Sequence, residues 1–153
     1  DDQIIQALFN ASAIGYLAMR NATVAGAVGG CQAEVGVASA MAASAAVELM
    51  GGTPKECPYA ASTVLMNMLG LVCDPVGGLV EVPCVKRNVG GAVNALAAAD
   101  MALAGITSKV PVDQVIDAMK EVGDKMDVSL RETGVGGVDG TTAAPEVVEK
   151  LGM

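Results

Sequence analysis

Three of the four cysteines in this sequence stand beside residues that bend or fix the backbone: Gly29-Gly30-Cys31, Cys73-Asp74-Pro75 and Pro83-Cys84. A thiolate at such a place is a metal ligand or a nucleophile. Glycine lets backbone amides approach a sulfur-rich anion, and proline fixes a turn while removing a competing donor. A helix beginning at Cys31 would also favour its thiolate through the helix dipole. Free cysteines in Ala-rich helical proteins are equally familiar as buried small hydrophobes, and spacing alone leaves both readings open. The spacing matches neither a zinc ribbon nor a ferredoxin, which use tight cysteine pairs. It offers one remote ligand, Cys31, and two on a single loop, Cys73 and Cys84. With no histidine in the chain, imidazole bases and histidine-based zinc triads are excluded.

The elements that must position these thiols are helical. The chain of 153 residues is 52% hydrophobic but only 2% aromatic, without tryptophan. Its apolar volume is Ala, Val, Leu and Met, which favours closely packed helices over a sheet sandwich. The expectation is one all-α domain over residues 1–153, with about five main helices and an irregular cysteine-bearing loop. Helix one runs over Gln3–Met19, with Ile4, Ile5, Leu8, Phe9, Ala13, Tyr16 and Leu17 as its buried face. Helix two runs from Cys31 or Gln32 to Met50, before Gly51-Gly52. It carries only Glu34 and Glu48 as charges and should be central. Helix three starts near Cys57-Pro58 and ends near Gly70. Asp74-Pro75, Gly77-Gly78 and Pro83 make the stretch from Gly70 to Cys84 a structured loop. Helix four follows from Lys86 or Asn88 to Ala104. Helix five, Pro111 to Met126, is amphipathic and belongs on the surface. A short helix is expected near Pro145–Leu151.

Net charge is −8, and no basic cluster exceeds Lys86-Arg87, which speaks against nucleic acid or anionic lipid as a partner. The uncharged runs contain Asn, Gln, Gly or Pro and are not membrane spans. Without a signal pattern, the cysteines read as thiols of a reducing, cytoplasmic compartment. The opening Asp-Asp-Gln-Ile-Ile, already helical in pattern, reads as a piece of something longer.

Gly30-Cys31-Gln32-Ala33-Glu34-Val35-Gly36-Val37-Ala38, together with Cys73-Asp74-Pro75-Val76-Gly77-Gly78-Leu79-Val80-Glu81-Val82-Pro83-Cys84, resembles the iron-sulfur L-serine dehydratase family. The likeness continues through Arg87-Asn88 and returns at Arg131-Glu132-Thr133-Gly134. It covers most of the chain and fits the C-terminal part of the α subunit, or of the corresponding domain in single-chain members. The resemblance implies a 4Fe-4S cluster on Cys31, Cys73 and Cys84, L-serine as substrate, pyruvate and ammonia as products, and an oligomeric enzyme. It further implies an N-terminal part of the α region and a β subunit or domain beyond this chain. Three thiolates would leave one iron open as a Lewis acid for the serine hydroxyl.

The α proton of serine also needs a base. None is evident here, so the general base is expected outside the chain and the chain alone is expected to be inactive. Lys86 and Arg87 are candidates for the substrate carboxylate or for balancing cluster charge; each reads as readily as a solvated cation. Asn88 is a candidate substrate contact or a helix cap, and Asn94 a further candidate for orienting ligands. Glu34, in the most apolar helix, is expected to be a buried carboxylate in a structural hydrogen bond, with catalysis as the alternative role. Cys57 matches no ligand of the family and reads as a buried cysteine. Some family members end in a cysteine that can reach the active-site iron, whereas this sequence ends Leu151-Gly152-Met153. The other classes weighed are an electron-transfer iron-sulfur module that drafts Cys57 as fourth ligand, a helical interaction domain with incidental thiols, and a relative acting on another β-substituted amino acid.

Overall fold

The computed structural model describes residues 1–152. Helix α1 spans Asp2–Asn21 and the single-turn α2 Gly26–Gly29. A π-helical turn, Gln32–Gly36, runs directly into α3, Val37–Leu49. Helix α4 is Cys57–Asn67, α5 Cys84–Leu103, α6 Val112–Lys125 and α7 Ala144–Leu151. Short 3-10 turns at Val76–Gly78 and Val128–Leu130 punctuate the two long connections. Among the described residues there is no strand; the one extended pairing is an isolated parallel bridge between Cys73 and Arg131. The fold is all-α, and among the described residues no helix is long and apolar enough to cross a membrane.

Helix α3 is central, packed by α1, α4 and α5. Its Val37, Ala40, Ala43 and Val47 meet Ala60, Ala61 and Val64 of α4 and Ala95, Ala98, Ala99 and Ala102 of α5. Side chains this small let helix axes approach closely, and burying their apolar area drives the association. Helix α6 closes one side of this core with Val115, Ile116 and Met119, its charged residues facing outward. That is the arrangement its amphipathic pattern predicts.

Helix α1 differs from expectation. It buries Ala7, Ala11, Ile14 and Ala18, while Ile5, Leu8, Phe9 and Tyr16 stand 51–74% exposed. The reason is steric: α1 lies so close to α3 that a Cβ added at Gly15 would meet the Met41 sulfur at 2.8 Å. At that crossing only a glycine fits, the buried face is otherwise mostly alanine with Ile14 as its one large residue, and the other large side chains are left on the opposite face. A second correction concerns α5, which begins at Cys84 rather than at Lys86 or Asn88. Asn88 therefore sits a turn inside the helix and caps nothing; its amide donates to the Cys84 carbonyl at 3.0 Å.

Candidate functional site

The chain brings Cys31, at the start of the π-helical turn, against Cys73, in the connection between α4 and α5. Both are buried and, with Val35, form a small cluster separate from the main core, flanked by Met68 and Leu71. π-turns recur at functional sites, and this one carries the residues just after Cys31. Gly30 precedes it at φ +78°, where a Cβ would strike the Leu71 carbonyl at 2.8 Å and the Met126 side chain at 2.7 Å. Only glycine takes that backbone conformation without strain.

Gln32 fixes the turn. Its buried amide donates to the Gly29 and Met119 carbonyls at 2.8 and 2.9 Å and accepts from the Gly70 amide at 2.9 Å. Its own backbone N–H donates to the Leu71 carbonyl at 2.9 Å. One side chain thus joins α2, α6 and the end of the α4 segment at the residue next to Cys31. The signal in the sequence is a lone amide between apolar neighbours, which a core tolerates only when it is hydrogen-bonded.

Cys73 is held by its backbone. Its N–H donates to the Leu130 carbonyl at 2.9 Å, and its carbonyl accepts from the Glu132 N–H at 2.6 Å. Glu132 occupies the left-handed region, at φ 62°, an uncommon conformation for a residue with a side chain. Asp74 next door is 2% exposed and accepts from Arg87 at 2.5 Å and from the Val138 N–H at 2.5 Å. Arg87 also donates to the Val72 carbonyl at 3.0 Å. The Arg131-Glu132-Thr133-Gly134 stretch and the segment after it are in this way tied back to the cysteine loop. Arg131 leaves its Nε buried without a protein partner, and its motif did not mark it as a site residue.

Cys84 is buried at the first turn of α5, where the Cys31 charge adds to the burial that raises its pKa. Burial pushes the thiol pKa of all three cysteines up. For Cys31, contact with the Cys73 thiol and the Arg87 charge work against burial. For Cys73, the neighbouring Cys31 and the Glu132 and Glu34 carboxylates add to it. The helix-start stabilisation expected for the Cys31 thiolate is thus outweighed by desolvation. Burial also works against the Arg87 charge, but Asp74 and then Cys31 outweigh it, so its pKa is raised.

Glu34 is exposed rather than buried. The π-helical turn that leads into α3 presents one edge to solvent, and Glu34 stands on it. A Glu34 carboxylate oxygen lies with the Cys31 and Cys73 sulfurs in a trio whose members are all within 4.8 Å of one another. It also borders an open groove of about 530 Å³ between α1 and α3, lined by Gly15, Tyr16, Met19, Val37 and Met41 among others. Lys86 is exposed, and of the basic pair it is Arg87 that faces the thiols. Asn94 accepts from Asn67 at 2.8 Å on the α4–α5 surface. Cys57 belongs to the main core, where it accepts from Asn10 at 3.2 Å.

Residues 1–139 match the family model described as serine dehydratase alpha chain. The chain is 59% identical over 150 residues to a probable L-serine dehydratase, alpha chain, of Bacillus subtilis, covering 98% of this chain and 50% of that protein. It is 60% identical over 140 residues to a protein of the same name in Latilactobacillus sakei, covering 92% and 67%. To the L-serine dehydratase, alpha chain, of Peptoniphilus asaccharolyticus it is 54% identical over 134 residues, covering 88% and 46%. The chain thus spans about half to two-thirds of the length of these relatives.

Proposed function

The chain belongs to the serine dehydratase alpha-chain family, and from that premise we propose that it is the cluster-bearing part of an L-serine dehydratase, with Cys31, Cys73 and Cys84 as ligands of a 4Fe-4S cluster. One observation carries the ligand assignment. Two buried thiols from segments 42 positions apart meet in a small cluster of their own, and a third is buried at the first turn of α5. The donor set fits such a group: three thiols, no histidine, and two partly buried arginines nearby, Arg87 and Arg131, to offset negative charge.

When bound, a cluster held by three thiolates supplies an iron with a free coordination position, a Lewis acid for the β-hydroxyl of serine. The work of this chain's own residues is positioning and charge. Gln32 sets the direction of Cys31. The pairing of Cys73 with Leu130 and Glu132 fixes the second ligand, and Pro83 leads Cys84 into α5. Arg87, anchored by Asp74, keeps one positive charge beside the sulfurs, where it lowers the cost of ionising Cys31 and Cys84. Elimination removes the α proton and the β-hydroxyl of serine, and hydrolysis of the enamine and imine that follow gives pyruvate and ammonia. The base that takes the α proton, the remainder of the α region and a β subunit or domain lie beyond this chain, so the 153-residue chain alone should form no pyruvate. Lys86 and Asn88, exposed at the start of α5, remain available to a substrate carboxylate there.

An electron-transfer module would need a fourth ligand, and Cys57, packed in the other core, is poorly placed for it. The test is anaerobic reconstitution with iron and sulfide, followed by electron paramagnetic resonance of the reduced cluster with and without serine, on an enzyme that includes the missing parts. A serine-dependent spectral change is expected. Cys57→Ser should retain the cluster and Cys73→Ser should lose it. A cluster lost in the Cys57 variant, or one indifferent to serine, would sink the assignment.

A further inference from the structure

The thiol site contains a second ligand set. We propose that Cys31, Cys73 and Glu34 bind a single thiophilic divalent cation of the zinc type, without Cys84. The two sulfurs and a Glu34 carboxylate oxygen lie within 4.8 Å of one another. Metal–sulfur bonds of about 2.3 Å and metal–oxygen bonds of about 2.0 Å put the donors of a tetrahedral site roughly 3.5–3.8 Å apart, so a small inward movement closes the trio around an ion. Gly26 keeps the space clear. A Cβ there would lie 2.7 Å from Glu34 Oε2 and 3.0 Å from Cys73 Sγ, so any other residue would push both donors aside.

The chemistry of the trio selects the ion. Two thiolates and one carboxylate suit a borderline-soft cation and disfavour magnesium or calcium, which take oxygen ligands. Three protein donors leave the fourth tetrahedral position to water or to a small ligand arriving from the groove that Glu34 borders. Among the described residues no ion pair engages Glu34, so its carboxylate is uncommitted. It is also exposed and can swing out when its place is taken. The cation and a cluster would share Cys31 and Cys73 and therefore exclude each other. That exclusion rests on the cluster assignment above; the cation site itself does not.

Cobalt(II) is the probe, titrated anaerobically into the metal-free 153-residue chain in a phosphine reductant. A one-to-one end point with thiolate-to-cobalt absorption in the near ultraviolet and tetrahedral bands in the visible is expected. Cys84→Ser should titrate like the parent, and Cys73→Ser should show no charge-transfer band. Glu34→Gln should weaken binding at least about tenfold, the loss that even outer partners of a metal site cause, and alter the visible bands. Circular dichroism of each variant checks the fold. A Glu34→Gln variant that titrates like the parent, or a Cys84→Ser variant that fails as Cys73→Ser does, overturns the proposal. A chain that takes up cobalt in this pattern yet never incorporates iron and sulfide would uphold this site while refuting the cluster assignment.

Discussion

Around Ala43 and Ile116 the chain is held by contacts that many small or branched apolar side chains could make. Around Cys31 and Cys73 it is held by hydrogen bonds that only a few side chains can make. The Ala-rich core contains two small polar networks, one where Ser44 and Asn10 meet Glu48 and Cys57 and one where Ser62 meets Ser108 and the Val110 carbonyl. The thiol end depends on Gln32, Asp74 and Arg87, each spanning segments distant in sequence. Non-directional burial makes a stable body, whereas bringing Cys31 against Cys73 needs directional bonds. The two regions should therefore fail differently when altered.

The largest difference is expected from Asp74→Ala. It leaves the Arg87 guanidinium, 18% exposed, without its carboxylate and the Val138 N–H without an acceptor. Removing one partner of a buried pair costs about 3–5 kcal/mol, and partial exposure of Arg87 puts this one near the lower end. Urea unfolding of the metal-free chain measures the loss. Iron and sulfide uptake should fall as well, because the loop that carries Cys73 loses its anchor. Destabilisation with unchanged iron uptake would break the division between the two regions.

Gln32→Leu comes next. The side chain keeps its volume but removes the side-chain bonds to the Gly29 and Met119 carbonyls and leaves the Gly70 amide without its acceptor. An unsatisfied buried group costs about 1–3 kcal/mol, and water reaching part of the site should hold the total near 2 kcal/mol. The effect on metal uptake should be disproportionate, since Cys31 is the adjacent residue. Cobalt or iron binding, compared at equal folded fraction, tests this.

A graded effect is expected from pH. The folded chain raises the thiol pKa of Cys31, Cys73 and Cys84 above the ordinary 9.0. Their protonated forms therefore contribute stability that is complete below pH 9 and is lost as the pH rises beyond it. Metal affinity runs the opposite way, strengthening with pH as protons cease to compete for sulfur. Urea midpoints of the metal-free chain should fall from pH 8 to pH 10, and Cys73→Ser should reduce the fall. A midpoint that climbs over this range would contradict the sign.

How far these regions can be read from sequence follows from the same contrast. Helix α6 is legible because charged and apolar residues alternate at helical spacing, and its observed span, Val112–Lys125, lies within a residue of the expected one. Helix α1 is legible as a helix but not in its facing, because the side that is most apolar by side-chain size is not the side that fits against α3. The thiol site is legible only through Gly30, Pro83 and the residues around them. Periodicity alone could not bring Cys31 to Cys73, since the contact is made by Gln32, by a π-turn and by pairing with Leu130 and Glu132, none of which has a hydrophobic repeat. Glu34 was misplaced for a related reason: a charge in an apolar helix signals burial only if that helix is covered all round.

The smallest effect is expected in the core and is the control for the others. Ile116 is 0% exposed and packs among the apolar residues of the main cluster. Ile116→Val removes one methyl group and should cost about 0.5–1.5 kcal/mol. Because Ile116 lies in the same helix as Met119, whose carbonyl accepts from Gln32, the substitution stands one turn from the thiol end. If the two regions are mechanically separate, the urea midpoint should drop while cobalt affinity and iron uptake remain those of the parent. If metal binding weakens in step with stability, α6 transmits core packing to Cys31 through Met119 and Gln32, and the thiol site is part of the core rather than a device attached to it.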